Sequence, residues 1–197
     1  MGGGVVQTVS LLSPGLVRKL IIAGSRTSLT PNTAIGPHDI FEALKIGETE
    51  EEFRASIELS FYNPNTVGKK AAAASWARTL EALETSGGDR KKLFLSVEEG
   101  NNQVLAFTDF TMKDDGVFKR IKELTMPVLV VNGDNDTLIP TSNSMELKEL
   151  LTNAQLIVYP DSGHGFLYQY AEVFAKDVEL FLDGKGEEKM ILGAKLT

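Results

Sequence analysis

The chain has 197 residues, 42% of them hydrophobic, and its 20 basic and 27 acidic side chains give a net charge of −7. That is enough apolar material for a real core in one domain with a sizeable insertion, and an acidic balance without a basic block argues against nucleic acid as a partner. Zero cysteines exclude disulfides, thiolate metal sites and cysteine nucleophiles, two histidines leave little for a zinc site, and no run reaches the ~20 apolar residues of a membrane span or the pattern of a signal peptide. The expectation is a cytoplasmic protein that uses no cofactor and binds neither metal nor membrane.

Met1-Gly-Gly-Gly opens the chain, and Val5, Val6, Val9 and Leu12 then recur at helical spacing until Pro14-Gly15 stops them. Composition alone allows the glycines to be a flexible leader. The next run, Leu16 to Gly24, reads as a third buried strand, which favours a glycine-opened helix feeding straight into a sheet. Small residues at the helix start allow it to approach a neighbouring strand closely.

From Ser25 to about Thr125 the strand signal stops, and helices are expected instead: Asp39 to Lys45, Thr49 to Tyr62, Val67 to Thr85, Val97 to Phe110, and a short one after Asp114-Asp-Gly116 through Lys122. The second opens with an acidic first turn and is expected to bury Phe53, Ile57 and Phe61. Asn63-Pro-Asn65 and Ser86-Gly-Gly-Asp89 separate neighbours. An excursion of helices between two strands reads as a lid over a pocket, spanning 25–116, on a core made of 1–24 and 117–183.

Met126-Pro-Val-Leu-Val-Val-Asn-Gly133 and Gln155-Leu-Ile-Val-Tyr-Pro160 are apolar runs without alternation, read as strands buried on both faces. The first breaks at Gly133-Asp-Asn-Asp136 and the second at Asp161-Ser-Gly-His-Gly-Phe166, with a helix from Ser144 to Leu151 between them. One right-handed crossover makes the two strands parallel neighbours and leaves Asp136 and His164 beyond their carboxyl ends, where open α/β sheets carry their chemistry. A carboxylate and an imidazole brought together there suggest an oriented base. After Phe166, Leu167 to Leu182 is an amphipathic helix stopped by Gly184, and 184–197 reads as a loosely held tail.

These residues resemble the α/β-hydrolase family along nearly the whole chain. Met1-Gly-Gly-Gly-Val-Val-Gln7 is similar to the continuation of the family's Gly-x-Ser-x-Gly elbow with the serine removed, Gly133-Asp-Asn-Asp136 with Pro140 is similar to its acid turn, and Gly163-His-Gly165 to its histidine loop. The resemblance implies a truncated α/β-hydrolase fold of about three parallel strands with flanking helices and a helical cap. It implies Asp136 as acid, His164 as base and the Met1 amide as an oxyanion-hole donor in an extended chain, with Trp76, Leu138 and Phe166 facing a small hydrophobic substrate. The intact form would hydrolyse an ester-like bond by a Ser-His-Asp mechanism, and this chain, without the nucleophile, would be a poor catalyst. Its uncovered sheet edge would favour self-association. The other functional reading is a non-catalytic binding or regulatory protein built on the same fold.

Each assignment has a structural competitor. Asp136 could simply cap the following helix, although Asp134 and Thr137 suit that work better, and His164 could be an ordinary bonded loop histidine. Glycines on either side of His164 are expected to let its loop turn sharply. His38 reads as a surface residue, and Trp76, Phe61, Phe107 and Phe110 as helix-packing core. Ser25 and Ser28, just past a strand end, are the only geometric candidates for a substitute nucleophile, and neither has an elbow pattern.

Overall fold

The computed structural model describes residues 1–44, 49–89, 96–112 and 116–184. Three parallel strands, β1 (Leu20–Ala23), β2 (Val128–Gly133) and β3 (Ala154–Tyr159), lie in the order β1-β2-β3, with Leu20 opposite Val128 and Val128 opposite Ala154. β2 lies between the other two and is buried at every residue, in keeping with its Val-rich run without polar alternation. β3 is an edge strand and only half-buried at Ala154, Gln155 and Leu156, so the expectation of two-face burial holds for β2 alone. The strand expected over Leu16 to Gly24 is shorter, because Leu16 falls in the turn before it and is 73% exposed.

Alternate residues of β2 feed two cores. Val128 and Val130 pack with Leu20, Ile22 and Leu147 beneath α1 (Gly2–Leu12) and α7 (Ser142–Leu150). Leu129 and Val131 pack on the opposite face with Ile157, Tyr159 and Phe181, against α8 (Phe166–Gln169) and α9 (Ala171–Asp183). This is a helix–sheet–helix sandwich, the arrangement that satisfies a parallel sheet on both faces. The amphipathic helix expected after Phe166 is broken at Tyr170, whose hydroxyl donates to the Pro160 carbonyl, and it ends at Gly184 as the pattern predicts. The tail from 185 onward and the Lys45 end of the first insertion helix lie outside the described residues.

Between β1 and β2 the described elements are helices: α2 (His38–Ala43), after a non-helical stretch over 24–37, then α3 (Glu50–Phe61), α4 (Thr66–Ser86), α5 (Val97–Met112) and α6 (Val117–Arg120), followed by a 3-10 turn at Ile121–Glu123. α3 starts with a capping box in which the Thr49 hydroxyl accepts from the Glu52 amide and the Glu52 carboxylate from the Thr49 amide. Its buried residues are Ser56 and Ser60, whereas Phe53, Ile57 and Phe61 are half-buried. The apolar stripe of α3 therefore faces an open cleft and not a closed core. No described helix is long and apolar enough to cross a membrane.

Candidate active site

β2 ends at Gly133, and the turn that follows folds back on itself through Asp136. Its Oδ1 accepts the amides of Leu138 and Ile139 at 2.9 and 2.8 Å, an Asx-type turn that a short carboxylate makes with its own downstream backbone. The same side chain, fully buried, places Oδ2 2.8 Å from His164 Nδ1. Asp136 thus organises its own turn and binds the imidazole as well, whereas capping and catalysis compete in the sequence. A carboxylate has no proton to give, so Nδ1 must carry the hydrogen, and in the neutral ring Nε2 is left as the acceptor. Among the described residues no side chain bonds Nε2. The arrangement is an imidazole base held in one tautomer.

The loop that carries His164 is fastened to the acid turn by its backbone. Asp134 Oδ2 and Oδ1 accept the consecutive amides of Asp161 and Ser162 at 3.0 and 3.1 Å. The Asp134 amide donates to Tyr159 and the Asn135 amide to Ser162. Asp134 is therefore a clamp between the two strand-end turns, a different task from the helix capping that its position suggests. Among the described residues the one non-glycine of positive φ is Asp161, at 46°. Gly163 and Gly165 have ordinary φ, which corrects the expectation that they supply a sharp turn. A Cβ on Gly163 would meet the Phe61 carbonyl and one on Gly165 the Tyr62 ring, so these positions are glycine because the end of α3 lies directly on the loop.

That contact brings part of the insertion into the site. Gly165 donates its amide to Phe61 O at 2.7 Å, and the Phe61 ring stands edge-on to the imidazole with centroids 4.9 Å apart. Asn63 and Asn65 donate to Asp161 Oδ1 at 3.2 and 2.7 Å, and Asn135 donates to Asn63 Oδ1 at 3.0 Å. In the sequence Asn63-Pro-Asn65 is only a separator between helices. Its bonding role carries no periodic signal and depends on a loop almost a hundred residues away. On the other side, Gly24 has φ +53°, and a Cβ there would collide with His164 Cε1.

The other residues singled out in the sequence fall in several places. Met1 is the residue before α1, whose Gly3 lies against the Ser25 side chain, one residue from the glycine that touches His164. Trp76 lines a cavity of about 290 Å³ between α3 and α4 with Phe53, Ile57, Phe61 and Tyr62, and Phe61 is the wall this cavity shares with the histidine. Leu138 is buried with Ile40, Ile139 and Phe61. Phe166 is fully buried behind the loop and stacked on Tyr159 at 5.3 Å. Ser28 is 2% exposed and its hydroxyl accepts the Phe118 amide, while the Ser25 hydroxyl bonds the neighbouring Arg26 carbonyl. His38 lies on the surface at 88% side-chain exposure, beside Glu42.

A family model described as the alpha/beta hydrolase fold matches residues 1–171. The chain is 40% identical over 182 residues to the 2-hydroxymuconate semialdehyde hydrolase of Pseudomonas putida, covering 92% of this chain and 59% of that one. It is 23% identical over 193 residues to a non-heme haloperoxidase of Rhodococcus erythropolis, covering 92% and 64% respectively. An alpha/beta hydrolase fold protein from Chitinophaga pinensis superposes with a TM-score of 0.70 at 27% identity, over 92% of this chain and 62% of that chain. The meta-cleavage product hydrolase of Pseudomonas fluorescens IP01 shares the fold, with a TM-score of 0.59 at 18% identity, over 92% and 61%. The chain thus spans less than two thirds of the length of these relatives.

Proposed function

The chain belongs to the α/β-hydrolase fold family, and from that premise we propose that Asp136 and His164 are the acid and base of a serine hydrolase acting on an ester-like bond. The observation that carries this is the 2.8 Å bond from a fully buried carboxylate to Nδ1, with its other oxygen occupied by two amides and Nε2 left without a partner among the described residues. A buried carboxylate in that position fixes the tautomer and stabilises the imidazolium that forms when Nε2 takes a proton.

In the proposed reaction, His164 Nε2 removes the proton of a serine hydroxyl as its oxygen attacks the substrate carbonyl carbon. The tetrahedral intermediate collapses, the carbon–oxygen bond to the alcohol breaks, and Nε2 returns the proton to that alcohol. Water activated by the same nitrogen then releases the acid. The family pattern sets the serine immediately before Met1, and we assign it to a position outside these 197 residues, with the Met1 amide as a donor to the oxyanion. Such a donor is worth roughly 3 kcal/mol. The 197 residues alone are then a poor catalyst, since loss of a triad serine costs on the order of a millionfold. We read the insertion, 25–116, as a cap over the site, with Trp76 and Leu138 on its apolar side and a small hydrophobic substrate beneath it. Phe166 backs the histidine loop from within the core. Two of the relatives above are likewise named hydrolases.

The test is fluorophosphonate labelling of the protein extended upstream to include the serine. Labelling is expected there, is expected to vanish in His164→Ala, and is expected to be absent from the 197-residue chain. Unchanged labelling of His164→Ala would remove His164 as the base. A second reading is a non-catalytic binding protein, favoured by the apolar cavity between α3 and α4. That reading gains if the extended protein fails to label while the chain still binds small apolar ligands.

A further inference from the structure

The exit of β1 holds a charge that the triad does not use. Arg26 lies three residues beyond the last residue of β1 and is 8% exposed. Its guanidinium lies over the Phe107 ring of α5, 5.4 Å from the centroid, and Nη1 has no hydrogen-bond partner. Burial alone lowers its pKa, and no carboxylate among the described residues forms an ion pair with it. Two neighbouring buried atoms are also unpartnered: Thr27 Oγ1 and Gln7 Oε1, the latter on the side chain whose amide nitrogen donates to the Arg26 carbonyl at 3.1 Å.

A buried guanidinium nitrogen without an acceptor is costly, and an anion is one partner that would offset that cost. The position of this one is informative. Gly24, two residues earlier, is packed against the His164 ring, so the Arg26 Cα is within about 8 Å of the Cα of a residue that touches the imidazole. Both groups lie at the carboxyl end of the sheet. Phe107 also forms the wall of a cavity of about 240 Å³ with Met1, Gly4 and Val5, so the guanidinium and the start of α1 share one apolar partition. A planar fork stacked on an aromatic ring is preorganised for two parallel hydrogen bonds to a carboxylate.

We propose that Arg26 is the specificity-determining residue of the site, binding the carboxylate of a compact acyl substrate whose carbonyl is presented to His164. This rests on the hydrolase reading for its second half, while the anion site stands on Arg26 alone. A monoanion is favoured over a phosphate dianion, because one guanidinium in an apolar surround neutralises one charge and the chain as a whole is at −7.

The test is titration of the 197-residue chain with benzoate, benzamide and inorganic phosphate, followed by NMR at the Arg26 Nε–H and the Phe107 ring. Benzoate is expected to saturate and to bind at least about tenfold more tightly than its neutral isostere or phosphate. Arg26→Lys should weaken benzoate about tenfold by removing the fork, and Arg26→Gln should abolish the preference for the anion. Equal binding of benzoate and benzamide, tighter binding of phosphate, or an anion preference that survives Arg26→Gln would each overturn the proposal. The benzoate-to-benzamide ratio of the unsubstituted chain decides the matter even if a variant fails to fold. Fluorophosphonate labelling reads catalysis separately, so an absent anion site with intact His164-dependent labelling refutes this inference and leaves the hydrolase reading standing.

Discussion

The strand-end turns between Gly133 and Phe166 and the helical insertion between α2 and α5 meet at Phe61, yet they are held by different means. In the first region backbone and short side chains bond one another at nearly every step: Asp134 to two amides, Asp136 to two more and to the imidazole, Asn135 to Ser162 and Thr141 to Gly133. The insertion leaves Leu59, Val67 and Leu105 more than half or about half exposed, at 53%, 50% and 67%. It is tied down through a few points, among them Asn63 and Asn65 on Asp161, Arg78 on Tyr168 and Asn143 on the backbone of Ala34. The Asp136–His164 pair is thus held where hydrogen bonds over-determine the backbone, and the half-buried apolar stripe of α3 lies where few do.

Breaking the acid–base bond should have the largest effect. In the upstream-extended protein, Asp136→Asn places an amide N–H or a weaker acceptor opposite Nδ1, favours the wrong tautomer, and is expected to slow fluorophosphonate labelling about 10⁴-fold. A loss smaller than about tenfold would show that the pair is structural. Removing the clamp tests the same region through stability. Asp134→Ala deprives two amides of a charged acceptor and should cost about 2 kcal/mol in urea unfolding, with faster amide exchange at Asp161 and Ser162.

A third expectation concerns the support beneath the histidine loop. Tyr159 is buried, and burial followed by the Asp177 carboxylate, which accepts its hydroxyl at 2.7 Å, raises its pKa far above the ordinary value. A folded-state pKa above the unfolded one means that this contribution is complete below about pH 10 and is lost as pH rises beyond it. Tyr159→Phe should cost about 1–2 kcal/mol at neutral pH through the lost bond and should flatten the alkaline fall in stability. Tyr62 and Tyr170, also raised by burial, are present in both proteins, so the difference between the two pH profiles isolates Tyr159. The smallest effect belongs to the insertion. Thr49→Ala removes the capping box of α3 and should cost about 1 kcal/mol, seen as faster exchange in the first turn of that helix, with labelling within about twofold of the parent.

Much of the fold is legible because local periodicity reports it directly. The apolar run ending at Gly133, without polar alternation, reads as a strand, and the spacing of Val5 to Leu12 as a helix. The pairing of Asp136 with His164 is legible for a related reason, since both follow strands of one crossover and parallel neighbours end on the same side. Burial on the second face of β3 is not legible, because an edge strand and a central strand share one composition and differ only in what lies beside them. The roles of Gly163 and Gly165 are misread for the same cause. A glycine required by a distant backbone looks the same in sequence as one required by its own φ.

The sequence by itself determined the order of elements, the parallel sheet and the two residues of catalytic type, because these follow from hydrophobic period and chain connectivity. Tertiary structure alone decided that Asp134 clamps the histidine loop, that Asn63 and Asn65 fasten the insertion to Asp161, and that Arg26 is buried over Phe107 with an unpartnered Nη1. Each of these is a contact between polar groups far apart in the chain. Hydrogen bonds and desolvation act over a few ångströms of space, and no periodicity along the chain records which distant groups that space will bring together.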